Sequence, residues 1–149
     1  MSVIYACVAY KNTPLAHRGK TDKIEKQFAG NVEKILENFV DKDNMRTSQS
    51  QDNMNFYVLL QNQMTYLCFC DVSVTKGAAY GFLNDICNAF SSKYSLSMAK
   101  TAVKFQMDRE FGSTMAQKMD NIKTYQSAQT ADLLQELDET KGLIMNNVD

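Results

Sequence analysis

The side chains best equipped for chemistry in this 149-residue chain are four cysteines, Cys7, Cys68, Cys70 and Cys87, and the single histidine, His17. Such a set raises three possibilities: a thiolate nucleophile, a zinc site or a disulfide. Spacing argues against all of them. Each cysteine lies in an apolar run, as in Tyr66-Leu67-Cys68-Phe69-Cys70, where a free thiol behaves as a small hydrophobe. Cys68 and Cys70 stand two apart on an extended segment, so they share a face but are poorly placed to bridge each other. With only His17 beside four cysteines dispersed in apolar runs, a zinc site is not expected, and the four cannot all lie near it. Asp71 ends the same run and is a carboxylate of the kind that strand ends commonly expose. Gly-rich phosphate loops, HExxH and the nucleophile elbow are absent from the sequence. The expectation is a non-enzymatic chain with no catalytic residue, metal or cofactor, its thiols reduced and buried.

Composition agrees with a packed domain. Hydrophobic residues make up 44% of the chain and charged ones 22%, enough for a sizeable core and an ordinary surface. Sixteen basic against seventeen acidic residues leave a net charge of -1, which gives no electrostatic case for nucleic acid. The N-terminus carries no basic signal region, residue 2 is Ser rather than Gly, and no apolar run is long enough to span a bilayer. As it stands the sequence reads as that of a soluble chain.

The buried thiols must be carried by regular elements, and these are legible in order. Val3 to Tyr10 is an apolar, β-branched strand, Lys11-Asn12-Thr13 a turn, and Pro14 to Arg18 a shorter returning strand. Asp22 as N-cap with Glu25 three residues on resembles a capping box. Behind it, Ile24, Phe28, Val32, Ile35, Leu36 and Phe39 predict one helix of four to five turns. Met45 to Gln51 reads as a polar edge strand, and Asn55 to Gln61 and Met64 to Val72 as buried central strands joined across Asn62-Gln63. Thr75 caps a second helix bearing Ala79, Phe82, Leu83, Ile86, Cys87 and Phe90. Phe105 to Ile122 supplies a third, with Phe111, Met115 and Met119. Lys123 to Gln129 is polar and reads as a linker, and Ala131 to Val148 as a last helix with a narrow apolar stripe. Strand runs joined by short turns favour a mostly antiparallel sheet in an α+β domain.

Four blocks carry a family resemblance. Val3-Ile4-Tyr5-Ala6-Cys7-Val8-Ala9, Tyr66-Leu67-Cys68-Phe69-Cys70-Asp71, Tyr80-Gly81-Phe82-Leu83-Asn84-Asp85-Ile86 with Phe90, and Leu137 to Asp149 are similar, in that order, to blocks of longin-domain R-SNAREs. The tetanus-insensitive, synaptobrevin-like vesicle-associated membrane proteins are the nearest kind. The resemblance implies a longin (profilin-like) fold: a five-stranded, mostly antiparallel sheet with one helix on one face and two on the other. A helical or disordered SNARE segment follows. The implied domains are 1–122 (longin), 123–129 (linker) and 130–149 (start of the SNARE motif).

By the family's register the layer residues are Thr130, Leu133, Leu137, Thr140, Ile144 and Asn147, with Thr140 departing from the usual aliphatic residue. The central arginine and any membrane anchor fall beyond Asp149. The resemblance further implies a regulatory module of vesicle-mediated transport and membrane fusion, acting on the cytoplasmic face of endosomes, lysosomes, vacuoles or secretory vesicles. Its partners would be Q-SNAREs for the full-length protein, its own SNARE segment, and sorting adaptors. The docking groove would be lined by Val32, Ile35, Leu36 and Phe39 of the first helix with Met45 and Thr47 of the third strand. The same helix residues are also what any amphipathic helix buries as core, and Thr47 is smaller than the residue the family often has there. Met45, apolar on a polar strand, suits a recognition surface or a strand-end core equally. A longin-like structural subunit of an adaptor or tethering complex is the alternative, against which the last block argues.

Overall fold

The computed structural model describes residues 2–126 together with Glu136–Leu137. Strands β1 (Val3–Tyr10) and β2 (Thr13–Gly19) form an antiparallel hairpin whose turn holds Lys11 at φ 52°. Strands β3 (Met45–Gln51), β4 (Met54–Gln61) and β5 (Met64–Asp71) form an antiparallel meander, and β5 returns beside β1. The β4–β5 turn places Asn62 and Gln63 at φ 53° and 70°, the two left-handed positions that match the twist of a tight hairpin. A two-residue strand, β6 (Glu136–Leu137), completes the order β2-β1-β5-β4-β3-β6. Pro14 lies at the start of β2, the outer strand opposite, where a missing N–H is tolerated.

The five long strands are those expected, and the sheet is covered on both faces. On one face lie α1 (Asp22–Ala29) and α2 (Val32–Glu37), which bury Phe28, Val32, Ile35 and Leu36 against Tyr5, Val58, Leu67 and Phe69. The sequence pattern suggests a single helix here; Gly30-Asn31, both poor helix residues, divide it, and the Asn31 N–H turns back to Phe28 O at 2.9 Å. The cap also differs. Thr21 Oγ1 rather than Asp22 accepts the Ile24 N–H at 3.2 Å, and Glu25 accepts the Gly19 N–H at 3.0 Å instead of closing a capping box.

The other face carries α3 (Lys76–Lys93), α4 (Leu96–Thr101), α5 (Asp108–Asp120) and α6 (Ile122–Gln126). Thr75 caps α3 as expected, its hydroxyl accepting from the Ala78 N–H at 3.1 Å. The third helix begins later than its apolar pattern suggests, because the backbone before it is committed to β2. Phe105 N–H donates to Pro14 O at 2.7 Å and Met107 N–H to Leu15 O at 3.0 Å, with Phe105 at φ 61°. The short α4, capped by Ser95, has too few apolar positions to show a period.

Helix α6 occupies the first part of the segment that reads as a linker. The Tyr125 hydroxyl donates to Asp85 on α3, Lys118 Nζ reaches the same carboxylate at 2.9 Å, and the Tyr125 ring meets Phe82 edge-on. Burial alone would raise the Asp85 carboxyl, but these two donors outweigh it and hold it below its ordinary 3.8. A depressed folded-state value means that its stabilisation is complete above that ordinary value and is lost as the pH falls below it. Urea unfolding from pH 6 down to pH 3 should therefore show an acid loss that Asp85→Asn reduces; an identical acid limb in the variant would remove this account.

The last helix, read over Ala131–Val148, is contradicted at Glu136–Leu137, which are extended. A short helix with a narrow stripe is marginal by itself, whereas a sheet edge offers its backbone ready partners. The layer positions Thr130, Leu133, Thr140, Ile144 and Asn147 lie outside the described residues, as do the boundaries around 129 and 130.

Candidate protein-binding edge and groove

Strand β3 is positioned from both ends of its sequence neighbourhood. Asp43 Oδ1 accepts the N–H groups of Asn44 and Gln63, each at 2.9 Å, and Asn44 (φ 51°) accepts from the Asn62 N–H at 3.4 Å. These bonds tie the entry of β3 to the β4–β5 turn. From Met45↔Leu60 to Gln51↔Met54 the pairing with β4 then runs without a bulge. The outer side of β3 is left as a row of donors and acceptors of the kind that takes up an added strand. There β6 pairs in parallel, with Arg46 opposite Glu136 and Thr47 opposite Leu137.

The groove residues named from the sequence are brought together. Val32, Ile35, Leu36, Phe39 and Met45 join one apolar cluster with Phe56, Val58 and Leu60, and all are buried. Thr47, two residues on from Met45 and so on the same face of the sheet, is 0% exposed at the register position of Leu137. The edge therefore has no deep open trough among the described residues; its accessible feature is the backbone of β3 flanked by these side chains.

Sequence reasoning missed Arg46. It is the one charged residue of β3, a signal that was available, and it is 8% exposed with its guanidinium 4.4 Å over the Tyr80 ring of α3. Tyr80 in turn meets Tyr57 of β4 edge-on at 5.4 Å. Gln49 on the same strand is buried, and its Oε1 accepts no hydrogen bond among the described residues.

The residues with chemical potential are placed otherwise. All four cysteines are free and buried. Cys68 and Cys70 sit together on the α3 face with sulfurs 3.7 Å apart, whereas Cys7 belongs to the opposite face. Burial pushes the Cys7 thiol far up, away from the thiolate a nucleophile needs. His17 stands opposite Cys7 in the β1–β2 register, but its ring is engaged elsewhere: Nδ1 lies 2.9 Å from the Tyr5 hydroxyl, and the ring stacks on Phe105. Burial lowers the His17 imidazole despite the neighbouring Asp108 and Glu25 carboxylates. Beside it Arg18 binds Asp108 at 3.0 Å, fastening β2 to the start of α5. Gly112 makes room for that pair, since a Cβ there would sit 2.3 Å from the guanidinium. This constellation clamps elements together. Asp71 is held low by hydrogen bonds from Ser73 and Ser2 that outweigh its burial, and it serves as a loop anchor. Among the described residues no three His, Cys, Asp or Glu side chains group to hold a metal ion, and no helix is long and apolar enough to cross a membrane.

Comparison with known proteins gives a consistent result. The family described as "Longin: Regulated-SNARE-like domain" matches residues 15–115. Across 100% of its length the chain is 29% identical to vesicle-associated membrane protein 7 of Rattus norvegicus. It is 26% identical to vesicle-associated membrane protein 7B of Dictyostelium discoideum and 25% identical to vesicle-associated membrane protein 711 of Arabidopsis thaliana. The chain spans 66% of the rat protein and 55% of the Dictyostelium one. A five-stranded antiparallel sheet between two helical layers, and a family match over most of the chain, lead to one conclusion: the chain belongs to the longin family of regulated-SNARE-like domains.

Proposed function

We propose that this chain is the regulatory longin domain of a vesicle R-SNARE, which controls SNARE assembly by holding its own SNARE segment against β3 and directs sorting by offering the same edge to partner proteins. The observation that carries this reading is the parallel pairing of Glu136–Leu137 with β3, because Leu137 is one of the layer residues that a SNARE bundle would need. A residue cannot be extended on a sheet edge and helical in a four-helix bundle at once. Docking and assembly therefore compete.

The energetics suit a switch. A two-residue ladder contributes few hydrogen bonds, each worth only about 1 kcal/mol net. Tethering makes that sufficient, since a short linker raises the local concentration of the segment to roughly millimolar. Such a lock yields readily to a Q-SNARE that binds the helical form or to an adaptor that takes the edge. The vesicle-associated relatives support action in vesicle traffic on the cytoplasmic face of endosomal, lysosomal, vacuolar or secretory membranes, with fusion itself belonging to the longer protein. Catalysis has no part in this reading.

Deleting residues 130–149 should speed hydrogen exchange at the outward amides of β3 and in α2 by roughly tenfold or more, at unchanged exchange in α3. Equal exchange in the deleted and full chains would remove the closed docking.

A further inference from the structure

We propose that β3 is a latent interface between two copies of this chain: once β6 leaves, the two β3 strands pair antiparallel about a two-fold axis at Ser48 and join both sheets into one. Such pairing rests on the docked-segment reading above and adds what becomes of the edge on release. Opening would then bring two SNARE segments side by side.

The two flanks of the sheet are built differently. The β2 flank is engaged by its own chain: Phe105 N–H donates to Pro14 O, Met107 N–H to Leu15 O, and Asp108 Oδ1 accepts the His17 N–H at 2.8 Å. Pro14 offers no donor, and the β1–β2 register shifts between Val8 and Ala9. Strand β3 has none of these guards. It holds no proline and pairs with β4 without a bulge, and its one charged residue, Arg46, is buried. Among the described residues only β6 meets its outer side, at Arg46 and Thr47, so Ser48 to Gln51 lie beyond that cover. A regular, unguarded edge of this kind is a template for another strand.

The strand is complementary to itself. With Ser48 on the axis, Met45 faces Gln51 of the second copy, Arg46 faces Ser50 and Thr47 faces Gln49, and each pair occurs twice. Every pair joins residues of one face, so the α1–α2 layers of both copies lie on one side of the joined sheet and the α3 layers on the other. Arg46 meets a neutral serine, so no like charges stand opposite each other. Thr47 brings a hydroxyl to Gln49, which is 5% exposed and whose Oε1 accepts no hydrogen bond among the described residues. A buried acceptor left unpaired is costly, and this register answers it on both sides of the axis. Moving the axis to Thr47 or Gln49 would lose that match and leave Ser50 and Gln51, or Met45 and Arg46, unpaired.

The test is sedimentation of a full chain carrying Glu136→Pro and Leu137→Pro, which removes both β6 N–H groups and alters nothing in residues 2–126. One strand edge is a small interface, so the dimer should form only at about 0.1 mM and above, while the parent stays monomeric there. Diluted to about 5 μM, the variant should exchange its β3 amides roughly tenfold faster than the parent, with α3 exchange unchanged. Ser48→Lys and Ser48→Glu, each added to that variant, set like charges on the axis and should each weaken the dimer about threefold to fivefold, and an equimolar mixture of the two should recover it. A dimer through any other surface would not respond in this way. A variant whose β3 amides exchange fast but which stays monomeric at about 0.5 mM would overturn the proposal and leave the docked segment standing. So would a dimer indifferent to the charge at residue 48, or one that the mixture does not restore. Unchanged β3 exchange both in the proline variant and on deletion of 130–149 would remove the docked segment and this interface together.

Discussion

Phe69→Ala should lower the stability of the domain by about 3–5 kcal/mol, the cost of emptying a phenylalanine site that cannot collapse. Phe69 is 0% exposed on β5, which is paired on both sides by β1 and β4. Its ring lies 4.8 Å from Phe28 of α1 and 4.5 Å from Phe56 of β4. The contacts continue in both directions, from Phe28 to Tyr5 at 4.8 Å and from Phe56 to Phe39 at 6.5 Å. A single aromatic row thus runs under α1 and α2, from the His17–Tyr5 bond to the end of the groove. Removing its middle member leaves a void bounded by three strands and a helix, none free to move in. With a urea m-value of 1–3 kcal/mol/M, the midpoint should fall by one molar or more at unchanged slope. Phe69→Leu should cost less than half as much. A loss below about 1.5 kcal/mol for the alanine variant would mean that α1 settles onto the sheet, and that the aromatic row does not fix its height.

Much of this architecture is legible in the sequence. The strands that form β1, β4 and β5 announce themselves because both their faces are buried, which leaves apolar runs with few polar interruptions. Thr75 shows as a cap because its hydroxyl acts within three residues. What the sequence hides is long-range. Phe105 carries a helix-compatible side chain, yet its backbone is drawn by no local signal onto Pro14, far earlier in the sequence. Gly30-Asn31 could be absorbed in a helix or divide it, and the sequence alone does not say which. The same holds for the site. Val32, Ile35, Leu36, Phe39, Met45 and Thr47 do converge, but periodicity alone could not separate groove lining from core, and all six are buried. Arg46 escaped notice because the ring its guanidinium covers, Tyr80, lies on α3, far along the sequence.

Met45→Asp should cost about 2–4 kcal/mol of stability and also weaken the hold on the C-terminal segment. From the sequence, an apolar residue on a polar edge strand suits a recognition surface, whose loss would leave the fold intact, or a strand-end core residue equally. The structure favours the core: Met45 is 7% exposed and belongs to the cluster of Phe39, Phe56 and Leu60. A carboxylate placed there must either be desolvated without a partner or pull the strand entry outward. Pulling it outward strains the Asp43 bonds to Asn44 and Gln63 that fix where β3 begins. Because Thr47 is two residues along the same face, the shift carries to the register position of Leu137. Stability and docking should therefore fall together, in contrast to deletion of residues 130–149, which should loosen docking alone. Urea unfolding beside β3 hydrogen exchange separates the cases. A stability loss under about 0.5 kcal/mol with strongly increased exchange at β3 would make Met45 a contact for the bound segment, and the groove would then begin at the strand's first residue.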